Sequence, residues 1–372
     1  MIKLILSIRS LNIGGAEKQF IELVKNINKS KFKIFVVSMY GGILESNLKK
    51  ISNIKYFNFK KKGRYDLIFY FRYKKFLEIF KPNIIYSFLG EMNLFSYWCK
   101  SKSTKIIWGF RASNMDYKKY GKLSQFLFYL QKIYSKKVDK IIANSYASIE
   151  FHKKCGFDMS KAVVIHNGID TDRFKRNKTK RVKFRKKYGL NENDIAIGIV
   201  ARIDEMKCYP ILAKASLKLF QEYSNIRIFA IGEGDKRIKK DCENILGKYN
   251  NIRFLWLGKQ KNVEDFYSGF DIYVSSSFGE GFSNSIAEAM ACEVPCVVTD
   301  VGDSSIIVGD TGIVVKPKNE DALYMGIKEM INKDIKKLGK KARERIVENF
   351  SIEKMVKKTE EVIYEVARKN QV

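Results

Sequence analysis

An α/β chain of two doubly wound domains, each a parallel sheet with helices on both faces, is the fold this sequence predicts. Three observations predict it. The 372 residues exceed one small core and suit two domains of ordinary size. Short β-branched or aromatic runs alternate with longer helical patterns along most of the chain, the mark of parallel strands joined by helical crossovers. The alternation occurs twice, with a polar, strongly basic stretch at Asp170–Asn193 between the two series. Two such domains are expected to face a cleft, with ligands beyond the carboxyl ends of the strands.

In the first series, strands are expected at Lys3–Ile8, Ile34–Met39, Ile84–Phe88, Lys105–Phe110 and Lys140–Ala143. Helices begin near Gly15, Tyr65, Met92 and Leu123. The second series has strands at Ala196–Ala201, Arg227–Ile231, Arg253–Trp256, Ile272–Ser275 and Cys296–Thr299. Its helices cover about Tyr209–Tyr223, Asp235–Tyr249, Ser283–Cys292 and Glu320–Asn332, followed by Lys336–Asn349 and Ile352–Lys369. These boundaries predict domains of residues 1–175 and 190–350, with the basic stretch as a linker leading into a helix of the second domain.

No run of 18 apolar residues is present, and Met1–Ile8 lacks a signal peptide's long apolar region. The six cysteines include no C-x-x-C pair, and only two histidines accompany them. Free thiols in a reducing compartment and a cytoplasmic chain without a metal site are therefore expected.

Charge is unevenly placed. Residues 1–175 carry 34 Lys+Arg against 12 Asp+Glu, a net of +22, and the remainder 36 against 28, a net of +8. In the first half cations alternate with bulky aromatics, as in Lys60-Lys61-Lys62-Gly63-Arg64-Tyr65, Phe69–Phe76 and Tyr117–Lys137. At helical spacing Leu123, Phe126, Leu127, Leu130 and Ile133 form an apolar stripe flanked by lysines. Such a helix either docks on an anionic membrane surface or packs its stripe on the core. No nucleic-acid motif accompanies the charge, so nucleic acid is not expected as a partner.

Three constellations carry candidate chemistry. Gly14 and Gly15, in Asn12-Ile13-Gly14-Gly15-Ala16-Glu17, open the first helix, where exposed amides favour anions. Arg202 ends the first strand of the second series and Lys207 follows five residues later, two cations suited to a diphosphate. The third is Ser277-Phe278-Gly279-Glu280-Gly281-Phe282-Ser283-Asn284-Ser285-Ile286-Ala287-Glu288. Its glycine-flanked Glu280 follows a strand, and its Ser/Asn cluster opens the helix that carries Glu288. Amides there can hold phosphate, while carboxylates accept hydrogen bonds from sugar hydroxyls.

Glu280-Gly281-Phe282, five residues and then Glu288 resemble the signature of retaining glycosyltransferases of family 4, enzymes of the GT-B fold with two Rossmann-like domains. Gly14-Gly15-Ala16-Glu17, Asn167-Gly168-Ile169-Asp170, Arg202 with Lys207, Gly232-Glu233-Gly234 and Thr311-Gly312-Ile313-Val314-Val315 fall in the matching order. The resemblance implies a nucleoside diphosphate sugar, expected to be UDP-linked, as donor and no cofactor or metal. It implies that Glu288 holds the ribose, Glu280 the donor sugar hydroxyls, and Arg202 and Lys207 the diphosphate. Gly14, Gly15, Gly281, Phe282, Ser283, Asn284 and Ser285 complete the donor site. It also implies that residues 1–175 bind the acceptor and that helix 352–372 packs back on them.

The sequence departs from the family at Trp108-Gly109-Phe110-Arg111-Ala112-Ser113-Asn114, where many relatives carry a histidine and Arg111 stands instead as a substrate-positioning cation. Cys208 replaces a frequent Gly or Asp. The basic first half points to a lipid-linked acceptor on the cytoplasmic membrane face, as in capsule, lipopolysaccharide O-antigen or protein-glycan assembly. A soluble acceptor, a nucleotide-sugar epimerase of the same fold and a non-catalytic membrane-bound scaffold are the alternatives.

Overall fold

The structure, a computed structural model, describes residues 1–111, 113 and 121–368. Tyr117, Tyr120 and Lys369 of the expected helical stretches lie outside these residues. The chain divides into two compact units, one of Met1–Gly168 with the segment from Ile352 onward, the other of Ile169–Ser351.

The first unit contains β1 (Ile2–Ile8), β2 (Phe32–Ser38), β3 (Ile54–Asn58), β4 (Ile84–Phe88), β5 (Lys105–Phe110), β6 (Lys140–Ala143) and β7 (Ala162–Val164). They form a parallel sheet in the order β3-β2-β1-β4-β5-β6-β7. Side chains alternate across it: Leu4, Leu6 and Ile8 enter one core layer and Ile5 the other. The first layer is closed by the Gly15–Asn26 helix through Phe20, Leu23 and Val24. It is closed further by the Ile352–Arg368 helix, whose Ile352, Met355, Val356, Ile363 and Val366 share one face. The other layer receives Phe69, Tyr73 and Leu77 of the Ile68–Phe80 helix and Met92 and Leu94 of the Gly90–Cys99 helix.

The second unit contains β8 (Ile195–Val200), β9 (Ile226–Ile231), β10 (Phe254–Gly258), β11 (Ile272–Ser275), β12 (Cys296–Thr299) and β13 (Ile313–Val315). Its parallel order is β10-β9-β8-β11-β12-β13. The strand order reverses between β1 and β4 in one sheet and between β8 and β11 in the other. Those two positions are where doubly wound sheets bind ligands.

β3, β7 and β13 are absent from the expected strands, and all three are edge strands. β7 and β13 are apolar but only three residues long, and β3 is broken by Lys55, so none forms a run long enough to stand out. The stretch expected as a linker belongs to the second unit. Asn177 caps the Lys178–Lys187 helix by accepting from the Lys180 amide at 2.9 Å. Phe184 buries beside Phe229 and Phe270, while Arg181 and Arg185 bond Asp271 at 2.6 and 3.2 Å. Residues 169–175 join the same unit, with Phe174 buried beside Tyr267. Cations hid this segment's two buried aromatics.

The expected stripe on the Lys122–Ser135 helix is only partly right. Leu127, Phe128, Leu130 and Tyr134 pack on the core, whereas Phe126 is 55% exposed. No helix among the described residues is long and apolar enough to cross a membrane.

Candidate active site

The loops that follow β8 and β11 are stitched together by backbone. After β8, the Asp204 carboxylate accepts from the Lys207 amide at 3.1 Å and closes a single 3-10 turn, Glu205–Lys207. Cys208 then takes a left-handed φ of +52°, a region where glycine is the unstrained residue, and the Tyr209–Glu222 helix starts. From the loop after β11, Ser276 Oγ donates to the Lys207 carbonyl at 2.8 Å and the Phe278 amide to the Met206 carbonyl at 2.9 Å. This brings Lys207 Nζ within 2.5 Å of Glu280 Oε1, an oxygen that also accepts from Ser277 Oγ at 2.8 Å. The two side chains are 19% and 11% exposed.

Glu288 lies on the Asn284–Ala291 helix, its Oε2 accepting from the Tyr267 hydroxyl at 3.1 Å. Tyr267 is fully buried, and burial first, then the Glu288 charge, pushes its phenol well above the ordinary range. Ser283 precedes this helix without capping it through its side chain. Gly281 is held through its carbonyl, which accepts from the Asp303 amide at 3.0 Å. The Phe282 ring is buried against Phe350.

Arg202 is placed differently from Lys207. Its guanidinium is 80% exposed and pairs with Asp204 at 3.1 Å. Beside it runs the Gly232-Glu233-Gly234 turn. A Cβ at Gly232, which has φ +140°, would lie 1.9 Å from the Ala201 carbonyl oxygen, and one at Gly234 2.0 Å from that of Ile203. These two glycines let the turn lie against residues 201–203. A cavity of about 540 Å³ opens there, lined by Ile203, Gly232, Gly234, Trp256, Leu257 and Gly258.

Gly14, Gly15 and Arg111 belong to the first unit. Gly14 precedes the Gly15–Asn26 helix in extended conformation with no side-chain cap. The Glu17 carboxylate folds toward it, reaching 2.2 Å from where a Gly14 Cβ would stand. Burial raises the Glu17 pKa, with its own amide and the Arg9 charge opposing. Arg111 donates to Tyr86 Oη at 2.8 Å and to Asn167 Oδ1 at 3.3 Å and lies over the Phe88 ring at 4.6 Å. Of its sequence run, Ala112 and Asn114 lie outside the described residues.

Four contributors were not singled out from the sequence. Ser277 lies in the motif but its residue type by itself names no role, and Tyr267 carries no signal because its partner Glu288 is 21 residues away. Gly302, at φ +59°, packs on the Glu280 and Gly281 carbonyls, and the signal available was a glycine after β12. Trp256 reads simply as a strand residue. Among the described residues no group of three or more His, Cys, Asp or Glu could hold a metal ion.

Residues 13–173 match the family model described as Glycosyltransferase Family 4, and residues 180–350 that of Glycosyl transferases group 1. The chain is 29% identical over 216 residues to N-acetyl-alpha-D-glucosaminyl L-malate synthase of Bacillus anthracis, covering 55% of this chain and about half, 54%, of that enzyme. It is 24% identical over 350 residues to the N-acetylgalactosamine-N,N'-diacetylbacillosaminyl-diphospho-undecaprenol 4-alpha-N-acetylgalactosaminyltransferase of Campylobacter jejuni, covering 90% and 91%. The fold is that of HepE from Anabaena, solved in complex with UDP, at a TM-score of 0.81, 18% identity and coverage of 98% and 100%.

Proposed function

Because the chain belongs to glycosyltransferase family 4 and has its GT-B fold, we propose that it transfers a sugar from a UDP-linked donor to an acceptor hydroxyl, with retention at the anomeric carbon. The observation that carries this reading is the Lys207–Glu280 pair at the β8/β11 switch point, with Glu288 on the next helix. In it, Lys207 and Arg202 bind the donor diphosphate and stabilise the charge that develops as the bond to the sugar breaks. Backbone amides at Ser283, Asn284 and Ser285, where the helix begins, take further phosphate oxygens, Glu288 the ribose hydroxyls and Glu280 the sugar hydroxyls. The cavity beside Trp256 is of a size for the base.

Retention follows from attack on the same face the diphosphate leaves, the leaving phosphate taking the acceptor's proton. Fixed cations supply the electrostatics, so turnover should survive chelation. The acceptor we propose is lipid-linked, as the diphospho-undecaprenol in the name of the Campylobacter enzyme gives for that protein, and is met at an anionic membrane surface. The amides at Gly14 and Gly15 add to the donor's diphosphate site, and Arg111 positions substrate. Incubation with a panel of nucleotide sugars, scoring UDP release with and without chelator, tests the reading. A native protein that binds no UDP and releases none from any donor would sink it.

A further inference from the structure

The first unit holds a pocket of about 260 Å³ at its own switch point. Arg9 follows β1, Leu89 and Glu91 follow β4, Arg111 follows β5, and Arg64 enters from the loop after β3. Three guanidinium groups are held there by separate means. Lys61, its side chain fully buried, donates to the Gly63 and Arg64 carbonyls at 2.5 and 2.9 Å and reaches Glu91 Oε1 at 3.5 Å. That anchors the loop carrying Arg64, whose Nη1 lies 3.3 Å from Ser124 Oγ. Arg9 Nε pairs with Glu91 Oε2 at 3.3 Å. Arg111 is fixed by Tyr86, Asn167 and Phe88, and its Nε is buried with no partner.

Arg9, Lys61, Arg64 and Arg111 against Glu91 leave the pocket strongly positive. The rest of its lining is largely apolar, from Leu89, Phe110, Leu123 and Leu127. The segments joined by Arg64 and Ser124 carry Tyr65, Leu67, Ile68, Phe71, Phe126 and Tyr129, each more than half exposed. An inorganic anion needs no apolar wall, and a neutral sugar needs no cluster of guanidinium groups. Both features together fit an amphiphile with a phosphate head and a hydrocarbon tail.

We infer that this pocket holds the phosphate or diphosphate of a lipid-linked acceptor on Arg9, Arg64 and Arg111, with the hydrocarbon leaving over Leu123 and Leu127. The inference rests on the transferase reading above and assigns the acceptor's anionic and apolar parts to named residues.

The test uses the full chain saturated with UDP, so that diphosphate-binding groups of the second unit are occupied. Calorimetric titration with geranylgeranyl diphosphate in neutral detergent micelles should give saturable binding, and geranylgeraniol and inorganic pyrophosphate much weaker heats. Arg9→Ala and Arg64→Ala should each weaken the lipid diphosphate by about tenfold or more, with partial recovery in Arg64→Lys. The remote exposed Lys102→Ala should leave it unchanged, and melting curves check that each variant is folded. Equal binding by geranylgeraniol, or undiminished binding by both alanine variants, overturns the pocket while the UDP titration leaves the transferase reading standing. Failure of the native protein to bind UDP overturns that reading and the pocket with it.

Discussion

Lys207 Nζ lies 2.5 Å from Glu280 Oε1, and neither side chain is more than a fifth exposed. Two oppositely charged groups from loops 73 residues apart therefore neutralise one another in this state of the molecule. A bound diphosphate would draw on Lys207, and sugar hydroxyls would then satisfy Glu280, so each half of the pair makes the other available.

Lys207→Ala is expected to lower turnover by about 10²–10³-fold, the size typical of losing one preorganised charge-stabilising donor. Glu280→Ala should lose most turnover while remaining folded. The double variant should fall short of the product of the two losses, because the pair acts as a unit. UDP release by the three variants measures this. Wild-type rates in Glu280→Ala would remove the role given to that carboxylate.

Glu288→Ala leaves a fully buried Tyr267 hydroxyl without its acceptor, at a cost of about 1–3 kcal/mol. It should also weaken UDP binding, whereas Tyr267→Phe should lose stability with a smaller effect on UDP. Urea unfolding and UDP titration, run on both variants, separate the two effects. Equal UDP affinity in Glu288→Ala would count against a ribose contact.

Gly232→Ala places a methyl 1.9 Å from the Ala201 carbonyl oxygen at a φ of +140°. A clash with backbone cannot be relieved by turning a side chain, so residues 201–203 must shift. A lower melting temperature together with weakened donor binding is expected. A variant matching wild type in both would show that this turn is more pliable than its contacts imply.

His152 stacks on Phe110 at 4.2 Å, and its Nδ1 lies 2.7 Å from the Ser148 carbonyl. Burial pushes its pKa down to about 4, the Ser148 bond opposing. The unfolded chain's imidazole titrates near 6.5, so between these values the unfolded state binds a proton the folded state does not. Stability should fall as pH drops through that window, by up to about 3 kcal/mol from this residue, with no contribution above it. Urea midpoints at pH 7.5 and 5 check it, and His152→Phe should show a shallower acid loss than wild type.

Vesicle flotation should show binding to anionic membranes that weakens as salt rises. Replacing the exposed Phe71 and Phe126 by Ser should reduce what binding persists at high salt. Flotation equal on neutral and anionic vesicles would exclude the electrostatic part of this docking.

The strand–helix alternation, both central sheets and the site motifs were legible because buried parallel strands must be apolar on both faces. Lys207, Glu280 and Glu288 stood out because their residue types and flanking glycines carry chemistry at short range. Sequence alone therefore determined the fold class, the family and the residue types that meet in the candidate site. It could not reveal that Lys207 meets Glu280 or that Tyr267 supports Glu288, nor that Arg202 stands exposed on Asp204 while Phe282 turns into the core. Nor could it show the edge strands, or that residues 170–193 pack on Phe229 and Asp271. Apart from the Arg202–Asp204 pair, those are contacts between residues far apart in the chain, decided only when the sheets bring the loops together, and hydrophobic period carries no information about them.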